Sequence, residues 1–363
     1  MCKKLFIAAT GQNCGKTTIS LSLMHLALQH YPRVGYIKPL GPKCLEYNGR
    51  VVDKDAALIA QVFGQEERIA LMSPLVLGKG ATRRFLDGEL TREWAAEKIS
   101  AACRELESQC DLILIEGAGH GGVGSVIGLN NADMAKLVNA PVVMVAGGGI
   151  GNVIDSVRLN AALYEQEGVA VRMVLVNKLI PEKRLSSLSY LEKYFAPKGI
   201  QVCGAFDYSP VLANPTLQNL SKLLGHPMHG DQSKRQRIIH HIQLGAASSQ
   251  KVIDNLKDST LLITTSSRDE LLVTLSSLYK IPLYHSQIAG IVIPGHAPVS
   301  DITQQIINES GIPHIRVEKT TAEVFSALTS HISKITAEDT EKISLVTSQA
   351  EQVIDFAAIQ QIL

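Results

Sequence analysis

The chain has little that would bind it to a surface, a membrane span or a covalent framework. Its 35 lysines and arginines are balanced by 34 aspartates and glutamates, so no global field favours nucleic acid or an anionic membrane. No run of residues approaches the apolar length of a membrane span. Six cysteines, Cys2, Cys14, Cys44, Cys103, Cys110 and Cys203, are scattered without CxxC spacing. That pattern argues against a zinc site or a disulfide framework and for reduced thiols in a cytoplasm. Aromatics are few, and the single tryptophan, Trp94, lies in a stretch without recognisable chemistry. Met1-Cys2-Lys3-Lys4 and the short apolar run behind it do not make a secretory leader, because the run stops at glycines and lacks a small-residue cleavage site.

What is present at 363 residues is enough for about two domains. The first is organised around Thr10-Gly11-Gln12-Asn13-Cys14-Gly15-Lys16-Thr17-Thr18. An apolar strand, Leu5 to Ala9, precedes it, and a helical pattern from Ile19 to Leu26 follows. Backbone N–H groups of such a loop, together with the helix N-terminus, point at phosphate. Lys16 is placed to reach the β and γ phosphates and Thr17 to put a hydroxyl on Mg²⁺. The GxxxxGK[ST] pattern is variant here: Thr10 stands where the first glycine belongs, and Gly11 comes one place later. Cys14, near a helix N-terminus, is either a thiol of lowered pKa or an inert loop residue.

Further strands follow in the order of an α/β fold. Val34-Gly35-Tyr36-Ile37-Lys38-Pro39 is a strand that delivers Lys38 to the edge where substrates bind. Asp53-Lys54-Asp55 opens a helix, where acids serve as caps and dipole partners. Residues 64–110 read as helical. Asp111-Leu112-Ile113-Leu114-Ile115-Glu116 is a buried strand ending in a carboxylate. Glu116 must face a cation, a donor set or solvent, and metal is the best of these. His120 beside it contacts phosphate or substrate, or is merely solvated. Pro141 to Ala146 is another buried strand, with Gly147-Gly148-Gly149 turning into a helix. The strand from Val171 to Val176 ends at Asn177, either a base-binding residue or a polar turn. This alternation demands a doubly wound parallel sheet of P-loop NTPase type, with helices on both faces.

The ordered set AATGQNCGKTT, YIKP, Asp55-Ala56-Ala57, LILIEGAG, VVMVAGGGIG and VLVNK resembles dethiobiotin synthetase. It is equally similar to the dethiobiotin-synthetase-like region at the front of long bacterial phosphotransacetylases, over residues 3 to 215. The resemblance implies ATP and Mg²⁺ as ligands. It implies Gly11, Gln12, Asn13, Cys14, Gly15, Lys16, Thr17 and Thr18 around the phosphates, and Asn177 near adenine. Thr17, Asp55 and Glu116 are the implied metal ligands, with Lys16 and Lys38 in the chemistry and Lys38 toward a carbamate. It also implies a homodimer or higher homo-oligomer. The chain departs from the enzyme at Leu40-Gly41-Pro42-Lys43 and at His120 to Ser125, where substrate is chosen.

The Pro-rich passage Ala205 to Thr216 reads as a boundary, giving domains of 1–214 and 215–330 and a helical tail at 331–363. In the second domain, strands at Leu261–Thr264, Ile288–Ile293 and Ile312–Val317 alternate with helices. They predict a small parallel α/β domain of three strands. Capping boxes are expected at Ser267-Arg268-Asp269-Glu270 and at Thr320-Thr321-Ala322-Glu323. His226, His229, His240 and His241 have no metal spacing. LLITTSSRDE, GIVIPG and TTAE make this part similar to the DRTGG domain, although the DRTGG string itself is absent. In long phosphotransacetylases an acyl-transfer domain comes next, so phosphotransacetylase activity is not expected of these residues.

Three functions follow as expectations. The first is Mg-ATP hydrolysis or transfer of the γ-phosphate to a carboxylate or carbamate acceptor. The second is a regulatory module sensing nucleotide and a small-molecule effector, and the third is a dethiobiotin synthase with an added domain.

Overall fold

Leu5 to Ala9 carry no polar alternation, so the strand they form has to be covered on both faces. In the computed structural model, which describes residues 2–331 and 333–363, β1 (Lys3–Ala9) lies inside a six-stranded sheet. The other strands are β2 (Val34–Ile37), β3 (Leu112–Glu116), β4 (Val142–Gly147), β5 (Val171–Leu179) and β6 (Gln201–Asp207). Their order is β6-β5-β4-β1-β3-β2, and every neighbouring pair is parallel. The chain moves from β1 toward one edge and later restarts on the other side of it with β4. That reversal opens a crevice at the carboxyl ends of β1, β3 and β4.

Helix α1 (Lys16–His30) rises directly from the loop after β1. Helix α2 (Lys54–Phe63) is capped by Asp53, whose side chain accepts from the Asp55 N–H. Asp53 arrives by a hairpin of Cys44–Tyr47 and Arg50–Asp53. Asn48 and Gly49 both take positive φ at its turn, the combination a two-residue hairpin loop favours. Residues 64–110 are less uniformly helical than expected. Leu75–Val76 pairs with Leu40–Gly41 before the long helix α3 (Arg92–Gln109). After β4 comes α4 (Ile150–Gln166).

The chain divides into two compact units, Met1–Tyr208 with Thr340–Leu363, and Ser209–Asp339. The final helices therefore belong with the first unit. Val346 and Ala350 of the helix Thr340–Val353 are fully buried, Glu351 bonds to His25 and Gln29 at 2.8 and 2.7 Å, and Phe356 stacks on His30. These helices cover α1, which is why most of α1 is buried.

Among the described residues the second unit holds five strands, not three: β7 (Met228–His229), β8 (His241–Leu244), β9 (Thr260–Ile263), β10 (Ile288–Pro294) and β11 (His314–Val317). Their order is β7-β11-β10-β9-β8, with β7 alone antiparallel. The two extra strands are edges drawn from the histidine-bearing segment, short and half-exposed, so they lack the apolar run that marks an inner strand. Side chains alternate between two cores. Leu261, Ile263, Val292 and Ile315 pack with Leu220 and Val324, while Leu262, Ile291 and Ile293 pack with Leu272, Leu275 and Ile307. The capping box at Thr320 and Glu323 forms. The one expected at Ser267 does not, because the helix Asp269–Tyr279 starts at Arg268. Glu270 pairs with the Arg268 guanidinium, and Ser267 Oγ sits 2.9 Å from Thr265 Oγ1.

Among the described residues no helix is long and apolar enough to cross a membrane, and all six cysteines are free thiols.

Candidate nucleotide site

The loop after β1 is pinned from three sides. The Thr10 N–H still donates to Val145 O of β4. Asn160 Nδ2 on α4 donates to Thr10 O at 3.1 Å. At the end of β5, Asn177 Nδ2 donates to Cys14 O at 2.9 Å and Lys178 Nζ to Asn13 O at 2.8 Å. Gly15 enters α1 at φ 96°, and a Cβ there would stand 1.9 Å from Asn177 Nδ2. Asn177 thus presses on the glycine that lets the loop turn, and its Oδ1 takes the Lys178 N–H. Gln12 and Asn13 are exposed, while Gly11, Cys14, Thr17 and Thr18 are half-buried. Cys14 Sγ lies 3.6 Å from Thr10 Oγ1.

Four charged side chains meet beneath the loop. Lys38, just past β2, sends its buried ammonium to Glu116 Oε1 at 2.6 Å, Asp55 Oδ2 at 3.1 Å and Gly117 O at 3.1 Å. Asp55 Oδ1 accepts from Thr17 Oγ1 at 3.2 Å. Glu116 Oε2 accepts from Ser20 Oγ at 2.6 Å and Tyr36 OH at 2.9 Å. Lys16 Nζ reaches Gly119 O at 2.6 Å. The buried Glu116 is thus met by a lysine and two hydroxyls, which supplies the partners its burial requires.

The electrostatics follow from burial and from these neighbours. Burial pushes the Lys16 ammonium down to about 8, although Glu116 opposes this. Burial acts the same way on Lys38, but there Glu116, Asp55 and Asp53 outweigh it and hold the ammonium above its ordinary range. The Tyr36 phenol is pushed well up, first by burial and then by the Glu116 carboxylate. It therefore acts as a hydrogen-bond donor. Burial and the neighbouring Asp55 raise Asp53 to about 6.

The loop after β3 is held by asparagines. Asn131 Nδ2 donates to Ala118 O and His120 O, both at 2.6 Å, and its Oδ1 accepts the Ala118 N–H. Asn160 Oδ1 accepts the Gly121 N–H at 2.8 Å. His120 is exposed and takes the Gly122 N–H on Nδ1. It does not join the charged cluster.

With this geometry in view, residues 3–216, more than half of the chain, match the AAA domain family AAA_26. The chain belongs to AAA_26. Residues 220–331 match the DRTGG domain. The phosphate acetyltransferase of Nitratidesulfovibrio vulgaris is 23% identical over 98% of this chain and 51% of its own length. The chain thus spans about half the length of that relative. The ATP-dependent dethiobiotin synthetase of Ruthia magnifica is 27% identical over 49% of this chain and 81% of its own length. The MinD cell division protein of Aquifex aeolicus is 18% identical, with a TM-score of 0.36 over 58% of this chain and 84% of its own. The AAA_26 half is a P-loop NTPase unit of the dethiobiotin-synthetase-like type.

The donor set of this AAA_26 site suits a hard cation. Thr17 Oγ1, Asp55 and Glu116 offer oxygen only, and among the described residues no group of three or more His, Cys, Asp or Glu is arranged to hold a metal. Mg²⁺ commonly takes one or two carboxylates and completes its shell with phosphate and water. Five residues of the site were not foreseen from the sequence: Ser20, Tyr36, Asn131, Asn160 and Lys178. Ser20 had a signal, since a serine three residues after Thr17 on a helix shares its face. Tyr36 alternates with Ile37 and shares a strand face with Lys38. Nothing local marks the asparagines, which act across 11 to 150 positions of sequence.

Proposed function

We propose that the AAA_26 unit binds Mg-ATP in the crevice at β1 and hydrolyses it or passes its γ-phosphate to a carboxylate or carbamate acceptor. The observation that carries this reading is the meeting of Lys16, Thr17, Lys38, Asp55 and Glu116, drawn from four separate segments, at one sheet edge. In this reading the N–H groups of Gly11, Gln12, Asn13, Cys14 and Gly15 take the phosphates, with Thr18 in the first turn of α1 beside them. Lys16 moves from Gly119 O to the β and γ oxygens. Thr17, Asp55 and Glu116 would hold Mg²⁺, which would supply positive charge against the phosphate oxygens. Lys38 neutralises the acceptor's charge in the transition state. Asn177 braces the loop and lies toward the adenine.

The reading further places the protein in a reducing cytoplasm as a homo-oligomer, with a small-molecule acceptor and no nucleic-acid or membrane partner. The test is ADP release from Mg-ATP by the full chain, with and without 7,8-diaminononanoate plus bicarbonate. Stimulation with dethiobiotin as product makes it a dethiobiotin synthase. ATP turnover without that stimulation leaves another acceptor or simple hydrolysis. Failure to bind ATP overturns the reading.

A second reading is favoured by the DRTGG unit and by the altered segments at Leu40–Lys43 and His120–Ser125. In it the protein senses nucleotide through the first unit and an effector through the second. ATP bound without turnover supports it.

A further inference from the structure

The Lys38 ammonium lies where a cation would neutralise both Asp55 and Glu116, since it touches Asp55 Oδ2 at 3.1 Å and Glu116 Oε1 at 2.6 Å. The other oxygens of these acids are also engaged, Asp55 Oδ1 by Thr17 and Glu116 Oε2 by Ser20 and Tyr36. Two carboxylates face Lys38, with Lys16 nearby, and Asp53 adds a third acid whose charge also acts on Lys38. A free divalent ion must therefore displace Lys38 from both carboxylates, and two ammonium groups repel it.

We infer that Lys38 is the internal counter-ion of the cation site, and that Lys38 and a divalent cation compete for Asp55 and Glu116. Lys38 guards the two carboxylates until a polyphosphate brings negative charge with its metal. It then yields its contacts, and its ammonium becomes available to an anionic acceptor. Ser20 and Tyr36 are positioning residues in this exchange. Their hydroxyls fix Glu116 Oε2, so Oε1 faces the contested position whichever cation holds it. The inference rests on the reading of this cluster as a nucleotide-dependent cation site, and it adds an order of events: the metal enters with nucleotide and not before it.

The test uses Mn²⁺ alone, without nucleotide, on the full chain. Lys38→Met removes the competitor, so Mn²⁺ affinity read by electron paramagnetic resonance should rise about tenfold or more over wild type. The gain should vanish in the Lys38→Met, Glu116→Gln double variant. Equal or weaker Mn²⁺ binding by Lys38→Met overturns the exchange. The variant leaves two buried carboxylates without their cation, so a measurement on the wild type stands beside it. Acetylation of Lys38 by acetic anhydride, followed by mass spectrometry, should speed up severalfold when Mn-ATP is added, and it should not with ATP in chelator. Labelling unchanged by Mn-ATP, in a protein shown to bind it, overturns the exchange as well. ATP affinity is measured separately on the wild type. Its absence overturns the nucleotide reading, whereas the Mn²⁺ comparison decides the exchange by itself.

Discussion

Asn177 Nδ2 fills the space beside Gly15, so closely that a Cβ on the glycine would lie 1.9 Å away. The same amide donates to Cys14 O at 2.9 Å. The end of β5 and the phosphate loop are therefore one packed unit, and the glycine at φ 96° is required for both its backbone and its lack of a side chain.

Gly15→Ala should accordingly fail twice, by strain and by collision. We expect a stability loss of about 2–4 kcal/mol and loss of nucleotide affinity. Urea unfolding and titration with a fluorescent ATP analogue check this. Wild-type affinity in Gly15→Ala would show that the loop repacks freely.

Lys16→Ala should remove phosphate-dependent ATP affinity and leave the fold intact, since among the described residues the side chain is hydrogen-bonded to one carbonyl, Gly119 O. Circular dichroism reports the fold and calorimetry the binding. Unchanged ATP binding would sink the assignment of this loop.

Tyr36→Phe deletes one of two hydroxyl donors to Glu116 Oε2. It should destabilise the protein by about 1–2 kcal/mol. ATP binding should persist, and acceptor-dependent or hydrolytic turnover should fall more than affinity. A turnover equal to that of wild type would remove Tyr36 from the positioning of Glu116.

Val346→Asp should destabilise the first unit by about 3 kcal/mol or more, because Val346 is fully buried in the helix that covers α1. Hydrogen exchange should show faster exchange in α1 and unchanged exchange in β9 and β10. Loss confined to Thr340–Leu363 would contradict the packing.

His314 gives the second unit a pH dependence. It is buried and stacked on His229 at 5.5 Å. Burial holds it below the ordinary histidine value of 6.5, with His229 adding to the effect. The folded state thus binds fewer protons there than the unfolded chain does, and stability rises with pH across the interval between the lowered folded pKa and 6.5. His314→Gln should flatten this part of the stability profile and change little above pH 7. Urea unfolding followed in the second unit, compared between variant and wild type, is the measurement.

The order of strands and helices in the first unit could be read from continuous apolar runs ending in Thr10, Lys38, Glu116 and Asn177. Such runs are the mark of strands buried on both faces, and the residue that ends each lies at the carboxyl edge. The edge strands β7 and β8 escaped because half-exposed strands of two and four residues carry no periodic signal. The hairpin before α2 had its signal in Asn48-Gly49. The capping box at Ser267 was written in the sequence and is not used, because Arg268 takes Glu270 and also binds Gly245 O and Ala247 O across the chain.

By itself the sequence determined the phosphate loop, the acids at the sheet edge and the two-part α/β architecture, since each depends on neighbours within a few residues. Only the tertiary structure decided that Glu116 is held by Lys38, Ser20 and Tyr36, that Asn177 braces Gly15, and that the last two helices close over α1. Those contacts include His25 with Glu351, 326 positions apart. The free energy of burying charge and apolar surface chooses such partners, and it does so only once the whole sheet exists to bring them together.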